Sequence, residues 1–584
     1  MRGVQDSAEL RRIAALPRRE WTAASAGQWA ERWTAALGRA PRTDCDPECV
    51  CGGSGAMRLK PIQAIALSEI AQYRGGLFPI RVGGGKTLIS FLAPRVLPGA
   101  KRPLLLLPAH LRDKTRNEMR AYRRHWQLPP FMRIESYQGL SRVSGASLLK
   151  DYAPDLIIAD EAHMLKNPQA ACTRRLARYI RDTRREGGTA DLVVMSGTIT
   201  KRSVRDFAHL SNWSLRQLGP LPAAHDPLDE WSRALDTGVQ DSRRLAPGAL
   251  AVLRADPTEP IRVAFRRRLV QTPGVVATQE GPLPIELQIT SHAVDLDPLL
   301  AAAYDTLRQD WITPDEWPIE DGVAMWRHAR ELATGFYSRW NPRPPEDWRD
   351  ARRDWAAECR EILKTNRRAL DTELQVRRAV GELDLYPHAL PALRRWQAIG
   401  PTFEPNSEAV WISDRTLRYV ADWAAKNGPA LIWTERPAVG ERLSALTGCP
   451  YYGNLGIDAA TGRSVESHDP ASGSAILSIE ANSVGRNLQK WNRNFVVDVQ
   501  PNGAKWEQML ARSHRDGQKA CTVFVDVLFG CIEDVLGFWR AVTDSEYAED
   551  VSGQAQKLVH ADLENVEDVQ AAGRRAGPQW NKNP

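Results

Sequence analysis

No apolar run in this 584-residue sequence approaches the roughly 20 residues that a membrane-spanning helix requires. The first fifteen residues alternate charge with short apolar patches and lack the continuous apolar core of a secretory signal. A cytoplasmic protein with no membrane partner is therefore expected. A disulfide framework is also missing, because Cys45, Cys49, Cys51, Cys172, Cys359, Cys449, Cys521 and Cys531 are scattered along the chain, as suits a reducing compartment. There is no internal repeat and no low-complexity tract. No group of Asp, Glu and Lys outside the motifs described below has the spacing of a nuclease centre.

What is present is ordinary in bulk. Hydrophobic residues make up 43% and charged residues 26%, as in soluble globular proteins, and the length suits about three to four domains. The net charge is +7 and the isoelectric point about 9.0, with Arg supplying most of the positive charge. Arg suits planar, bidentate phosphate contacts, although a basic excess of this size does not require a nucleic-acid partner. The 20 tryptophans fall mostly in segments with helical patterning and are assigned to cores rather than to base stacking.

Residues 1–56 open with a pair of helical patterns and then reach Cys45-Asp-Pro-Glu-Cys49-Val-Cys51-Gly-Gly-Ser-Gly55. Three thiols this close hint at a metal knuckle, but structural zinc wants four ligands and no fourth Cys or His is near in sequence. The expectation is a Gly/Ser linker with incidental thiols.

Val82-Gly83-Gly84-Gly85-Lys86-Thr87 precedes the apolar stretch Leu88–Leu92. A glycine run between a strand and a helix can aim backbone N–H groups at phosphate, with the helix dipole adding to the attraction. Lys86 would reach the β- and γ-phosphates and Thr87 would suit Mg²⁺. The usual first glycine of a phosphate loop is missing, since Ile80 stands there. On its own the run also fits an ordinary loop and helix start.

Around it, residues 57–215 alternate strand and helix patterns, as in a parallel α/β sheet. Predicted strands are 77–82, 103–107, 133–135, 155–159 and 191–195, several of them continuous apolar runs suited to burial on both faces. Predicted helices include 110–126 and 169–185. The strand Leu156-Ile157-Ile158-Ala159 runs directly into Asp160-Glu161-Ala162-His163. At such a strand end Asp160 can hold Mg²⁺ and Glu161 can polarise the attacking water. The bland alternative is a solvated acidic turn.

The phosphate loop together with Asp160-Glu161-Ala162-His163 resembles the superfamily 2 helicases. The continuation through Lys166-Asn167 is similar to the Swi/Snf-type DNA translocases. Arg58-Leu59-Lys60-Pro61-Ile62-Gln63 resembles that family's entry motif, which implies that Gln63 reads adenine. Leu104–Leu111 resembles the motif that touches the DNA backbone, and Ser136–Leu140 the segment that follows it. Ser196-Gly197-Thr198 stands where the family has Thr-Gly-Thr-Pro. Gly281–Leu287 followed by Tyr304 resembles the entry to a second lobe, whose predicted strands are 430–433, 475–478, 495–499 and 522–527. Glu480–Leu488 resembles a further motif, with Asn482-Ser483 replacing paired glycines. Gln508-Met-Leu-Ala-Arg512-Ser-His-Arg515-Asp-Gly-Gln518 has the spacing of the family's arginine motif, and Arg512 and Arg515 are expected on one helix face.

The resemblance implies an α/β protein of two RecA-like parallel-sheet lobes, with a helical insertion and short terminal extensions. The expected bounds are an N-terminal extension over 1–56, lobe 1 over 57–215, linker and insertion over 216–410, lobe 2 over 411–541 and a tail over 542–584. It implies an ATP hydrolase moving on DNA, with double-stranded DNA as the expected partner and ATP and Mg²⁺ as ligands. Gly83, Gly84, Gly85, Lys86 and Thr87 would cradle phosphate, and Thr87 and Asp160 would hold Mg²⁺. Glu161 would activate water, Arg512 and Arg515 would come from the opposite lobe, and His163 would help link hydrolysis to movement. The compactness is similar to phage or bacterial members, which implies the cytoplasm of a bacterial or infected host cell and replication, recombination or restriction partners. Two alternatives stay open: a strand-separating DNA or RNA helicase, and a DNA-binding scaffold whose ATPase has decayed. The basic run Arg266-Arg267-Arg268 fits a phosphate contact or a solvated face equally.

Overall fold

The computed structural model describes residues 3–564 except 198, 201, 238, 240, 279–284, 318, 320–321, 366–369, 371–372, 384 and 405. The expectations for Thr198, for Gly281 to Pro284 and for the end of the tail fall outside the described residues. The chain is α/β and divides into two compact units. One comprises Met1–Gly281, Ala356–Leu390 and Glu546–Ala555; the other comprises Pro282–Trp355, Pro391–Ser545 and Gln556–Pro584.

The first unit is built on strands β1 (Gly75–Pro79), β2 (Pro103–Leu107), β3 (Arg133–Ser136), β4 (Leu156–Ala159) and β5 (Asp191–Ser196). They pair in the order β1-β5-β4-β2-β3, all parallel, the arrangement of a RecA-like lobe. Alternation along each strand sends side chains to two cores. Leu77, Leu104, Leu106, Ile157, Ala159, Leu192 and Val194 enter one. Phe78, Leu105, Leu107, Ile158, Val193 and Met195 enter the other. Burial on both faces is why these strands read as unbroken apolar runs.

The described residues of 216–278, expected within a linker, fold with this sheet. Trp231, Leu235, Phe265 and Leu269 join its first core. The free edge of β1 is covered by the chain at Gly274–Thr278: Leu77 N–H donates to Gly274 O at 2.9 Å, and Val276 N–H donates to Leu77 O at 3.1 Å. The basic run lies on the helix Ile261–Val270 and is structural. Arg268 is buried and donates to the carbonyls of Leu16 and Pro17, while Arg267 serves Leu253 O and Glu259.

The second unit carries β6 (Glu286–Ala293), the antiparallel hairpin β7 (Phe336–Trp340) and β8 (Ser407–Trp411), then β9 (Leu431–Thr434), β10 (Tyr451–Tyr452), β11 (Ala475–Ser478), β12 (Arg493–Val496), β13 (Thr522–Phe529) and β14 (Asp562–Glu564). Its main sheet runs β10-β11-β9-β12-β13-β6-β14, again all parallel. Helices dominate between β6 and β8, and Gly322–Thr334 brings Arg330 into a buried ion network. Arg330 donates to Asp534 at 3.0 Å and to Val499 O at 2.6 Å, and Arg436 pairs with Asp498. These guanidiniums hold the Asp498 carboxyl down at about 2 against its burial.

Candidate functional site

The glycine run leaves the end of β1 and enters the helix Lys86–Val96. Gly83 and Gly85 have φ of +86° and +81°, the left-handed region that side chains resist. Gly84 is needed for a different reason: a Cβ there would lie 2.4 Å from Ile80 Cγ2. Ile80 is fully buried in the second core. The position that lacks the customary glycine therefore carries a packing residue, and the tight approach is transferred to Gly84. The β1 strand stops at Pro79 rather than extending to 82. Ile80 N–H turns back to Phe78 O at 2.9 Å, and Thr278 Oγ1 accepts from Arg81 N–H at 3.0 Å.

Lys86 is buried, and its ammonium donates to Ile80 O at 3.0 Å and Arg81 O at 3.3 Å. A Cβ on Gly197 would come within 3.5 Å of that same Nζ. The ends of β1 and β5 thus meet at the lysine. Thr87 follows in the first helical turn and is half-buried.

Asp160 and Glu161 follow β4 directly. Asp160 N–H donates to Leu106 O at 2.9 Å, and Tyr137 Oη donates to Asp160 O at 2.7 Å, so the backbone is held from two sides. Glu161 has φ +51°, a left-handed turn that costs a non-glycine residue roughly 1 kcal/mol. Its own N–H donates to Asp160 Oδ1 at 3.0 Å. His163 Nδ1 lies 3.3 Å from Glu161 Oε2 and 3.1 Å from Ser196 Oγ. One imidazole therefore bridges the ends of β4 and β5.

Burial and the neighbouring Glu161 push the Asp160 carboxyl up to about 7, with Lys86 pulling it back. Two adjacent carboxylates against one nearby ammonium form a site short of positive charge. A hard divalent cation such as Mg²⁺, which takes oxygen ligands, fits that donor set. Thr87 and Asp160 are the residues that would hold it.

Gln63 lies in the helix Pro61–Tyr73 and is buried. Its Oε1 accepts from Lys60 N–H at 2.8 Å and its Nε2 donates to Gly85 O at 3.0 Å. The sequence motif is thus brought to the glycine loop, with its carboxamide bonded to Gly85 O.

In the second unit the arginine motif departs from expectation. The helix Gly503–Leu510 ends before Arg512, so Arg512 and Arg515 do not share a helix face. Buried polar groups end it, since Arg512 Nε turns back to Gln508 O at 2.8 Å. The two arginines nevertheless converge, as both donate to Arg486 O, at 3.1 and 3.4 Å. Arg515 also donates to Asn487 Oδ1 at 2.5 Å, and desolvation pushes its guanidinium pKa down. Arg486 itself is tied to Ser464, Glu466 and Leu455 O. Asn482, where the resemblance has glycine, is fully buried and donates to Tyr452 O at 2.8 Å. Tyr452 lies in the two-residue strand β10, and Leu455, Ser464 and Glu466 lie in or beside three-residue helical turns, all too short to show periodicity, which is why sequence reading missed them.

No family model matches the sequence, and comparison with curated proteins gives no match. Among solved structures, the chain is similar to the Sulfolobus solfataricus SWI2/SNF2 ATPase core determined in complex with double-stranded DNA. The identity is 14%, the likeness spans 85% of this chain and 93% of that chain, and the TM-score is 0.30. Among the described residues, no helix is long and apolar enough to cross a membrane.

Proposed function

We propose that this chain is a DNA-dependent ATP hydrolase that couples hydrolysis to movement on DNA, with duplex DNA as its track. The observation that carries the reading is the convergence within the first unit. Lys86 lies beside Gly197, and His163 bridges Glu161 and Ser196, so the ends of β1, β4 and β5 supply one polar locus beside a glycine loop. This is the part of a parallel α/β sheet where ligands bind.

In this reading Gly83 and Gly85 offer backbone N–H groups to the phosphates, Gly84 N–H being held by Arg81 O, and Lys86 neutralises the β- and γ-oxygens. Mg²⁺, held by Thr87 and Asp160, would supply charge neutralisation at the transferred phosphate. Glu161 orients the attacking water and takes its proton, and the left-handed turn at Glu161 sets the direction of that carboxylate. His163 passes the state of Glu161 to Ser196 and Gly197. Arg515 is the charge that stabilises the transition state, and Arg512 fixes the turn that presents it. Gln63 contributes to adenine recognition with the bonding capacity left by its contacts to Lys60 N–H and Gly85 O.

The test is the ATPase rate of the full chain with duplex DNA, single-stranded DNA and RNA. Stimulation by duplex DNA with no strand displacement supports translocation. Strand displacement would instead identify a separating helicase. A rate unaffected by any nucleic acid, and equal in wild type and Lys86→Ala, would leave only a scaffold.

A further inference from the structure

The cysteine-rich segment is not the loose linker expected. The chain folds Cys45 to Gly55 against His125, which lies just beyond the helix Arg112–Tyr122. Backbone pairing fixes this neighbourhood. Arg39 N–H donates to His125 O at 2.8 Å and Gln127 N–H donates to Leu37 O at 2.8 Å. His125 is buried, and its Nε2 lies 3.2 Å from Cys49 Sγ and 3.8 Å from Cys45 Sγ. One ligand atom from each of Cys45, Cys49, Cys51 and His125 falls within 4.8 Å of all the others.

The loop that presents the sulfurs is built rather than slack. Gly52 N–H donates to Cys49 O at 2.7 Å and Ser54 N–H to Cys51 O at 3.3 Å. Gly55 has φ +71°, and a Cβ there would lie 1.8 Å from Arg42 O. Arg42 N–H donates to Gly55 O at 2.8 Å and Cys49 N–H donates to Asp46 O at 3.1 Å, so both ends of the loop are tied by backbone bonds. Tetrahedral Zn²⁺, with bonds of about 2.3 Å to sulfur and about 2.0 Å to nitrogen, needs its ligand atoms roughly 3.5–3.8 Å apart. The imidazole-to-sulfur separations given above are close to that range.

We propose that Cys45, Cys49, Cys51 and His125 bind one structural zinc ion. Three thiolates and an imidazole are a soft donor set that selects zinc over magnesium or calcium. Four protein ligands close the coordination sphere, which makes the ion structural rather than catalytic. Its place in the fold defines its task. Residues 38–60 connect the helix Ala23–Leu37 to the helix Pro61–Tyr73, on which Gln63 holds Gly85. The ion fastens that connection to the segment after Arg112–Tyr122. It does so where the chain would otherwise depend on a few backbone bonds and exposed polar residues.

The test uses the full chain, reduced and purified without chelator or a histidine tag. Elemental analysis should find one zinc per chain. Cys49→Ser and His125→Ala should each lose it, while Cys521→Ser, changing an exposed thiol outside the cluster, keeps it. Replacing the metal with Co²⁺ should give the strong visible bands of tetrahedral thiolate coordination. Chelation should lower the Tm, and Zn²⁺ but not Mg²⁺ should restore it. If the substituted chains fail to fold, the zinc content and cobalt spectrum of the wild type decide alone. Less than about 0.1 equivalent of zinc after reduction and dialysis against Zn²⁺, with no thiolate–cobalt band, would overturn the proposal. Full zinc retention by folded His125→Ala and Cys49→Ser would do the same.

Discussion

Gln63 and Gly85 are locked together: the glutamine Nε2 donates to the glycine carbonyl at 3.0 Å, and a Cβ on Gly85 would lie 2.2 Å from that nitrogen. Gly85→Ala must therefore adopt a left-handed backbone and also displace Gln63. Relief of the clash alone, in Gly85→Ala with Gln63→Ala, leaves the backbone cost of about 1–2 kcal/mol. We predict that Gly85→Ala raises the KM for ATP at least tenfold and that the double variant recovers only part of it. Gln63→Ala alone should narrow the preference for ATP over GTP, measured as the ratio of kcat/KM values. An equal loss for both nucleotides would confine Gln63 to holding the loop.

Lys86→Ala and Glu161→Gln should separate binding from chemistry. The first should weaken nucleotide binding and lower kcat by about 100-fold or more, since a charge aimed at the phosphates is removed. The second should keep ATP binding, read by fluorescent nucleotide titration, while turnover falls by a similar factor. Binding lost equally in both would show that Glu161 maintains the site rather than acting on water.

Arg512 and Arg515 share an acceptor but differ in consequence. Arg512 is buried and its guanidinium supports the Gln508 and Arg486 carbonyls, so Arg512→Ala should lower the Tm as well as the rate. Arg515 is less enclosed, and Arg515→Ala should reduce kcat about 1000-fold with the KM for ATP nearly unchanged. Thermal denaturation beside steady-state kinetics distinguishes the two.

Asp236 gives a pH signature to the first unit. It is buried, accepts from Val204 N–H at 3.0 Å and Tyr547 Oη at 2.9 Å, and burial outweighs those donors to push its carboxyl up to about 6. In the unfolded chain the value is near 3.9. The folded state therefore binds more protons between the two values, and this contribution to stability is full below about 4 and is lost as pH rises through 6. Relative to Asp236→Asn, which does not titrate, the wild type should gain about 2 kcal/mol between pH 7 and pH 4. Urea denaturation of both chains across that range checks the sign.

Arg330 should be indispensable to the second unit. Arg330→Met leaves Asp534 and Asp498 buried with one guanidinium fewer, and breaking a buried pair from one side costs about 3–5 kcal/mol. Loss of the chemical denaturation midpoint, with recovery on adding Asp534→Asn, is the expected result.

The elements legible in the sequence were those buried on both faces. Pro103–Leu107 and Ala475–Ser478 appear with the expected bounds because a strand covered on both sides must be apolar throughout. Strand β6 escaped notice because Glu286–Ala293 mixes Gln, Thr, Ser and His on a half-buried strand. The arginine motif was placed on a helix by its spacing, yet the helix stops at Leu510, where side chains take over backbone carbonyls. His125 could not be joined to the cysteines by any local rule. Its approach depends on the pairing of Gly38 with Trp126, a contact between segments far apart in sequence. The placement of Asp160 and Glu161 at the end of β4 was visible in the sequence, whereas the contacts of Arg486 with Ser464 and Glu466 were not.

The path of the chain has a consequence for how the molecule is made. It leaves the first unit after Gly281, returns at Ala356, leaves after Leu390, and returns once more at Glu546 before ending in the second. Tyr547 and Val551, among the last of these residues, belong to the first sheet's core, and Tyr547 is the donor that Asp236 faces. A nascent chain therefore cannot complete its N-terminal half until nearly all of its C-terminal half has been synthesised. Fragments truncated at Gly281 lack these core residues, so the two halves cannot be separated by a single cut.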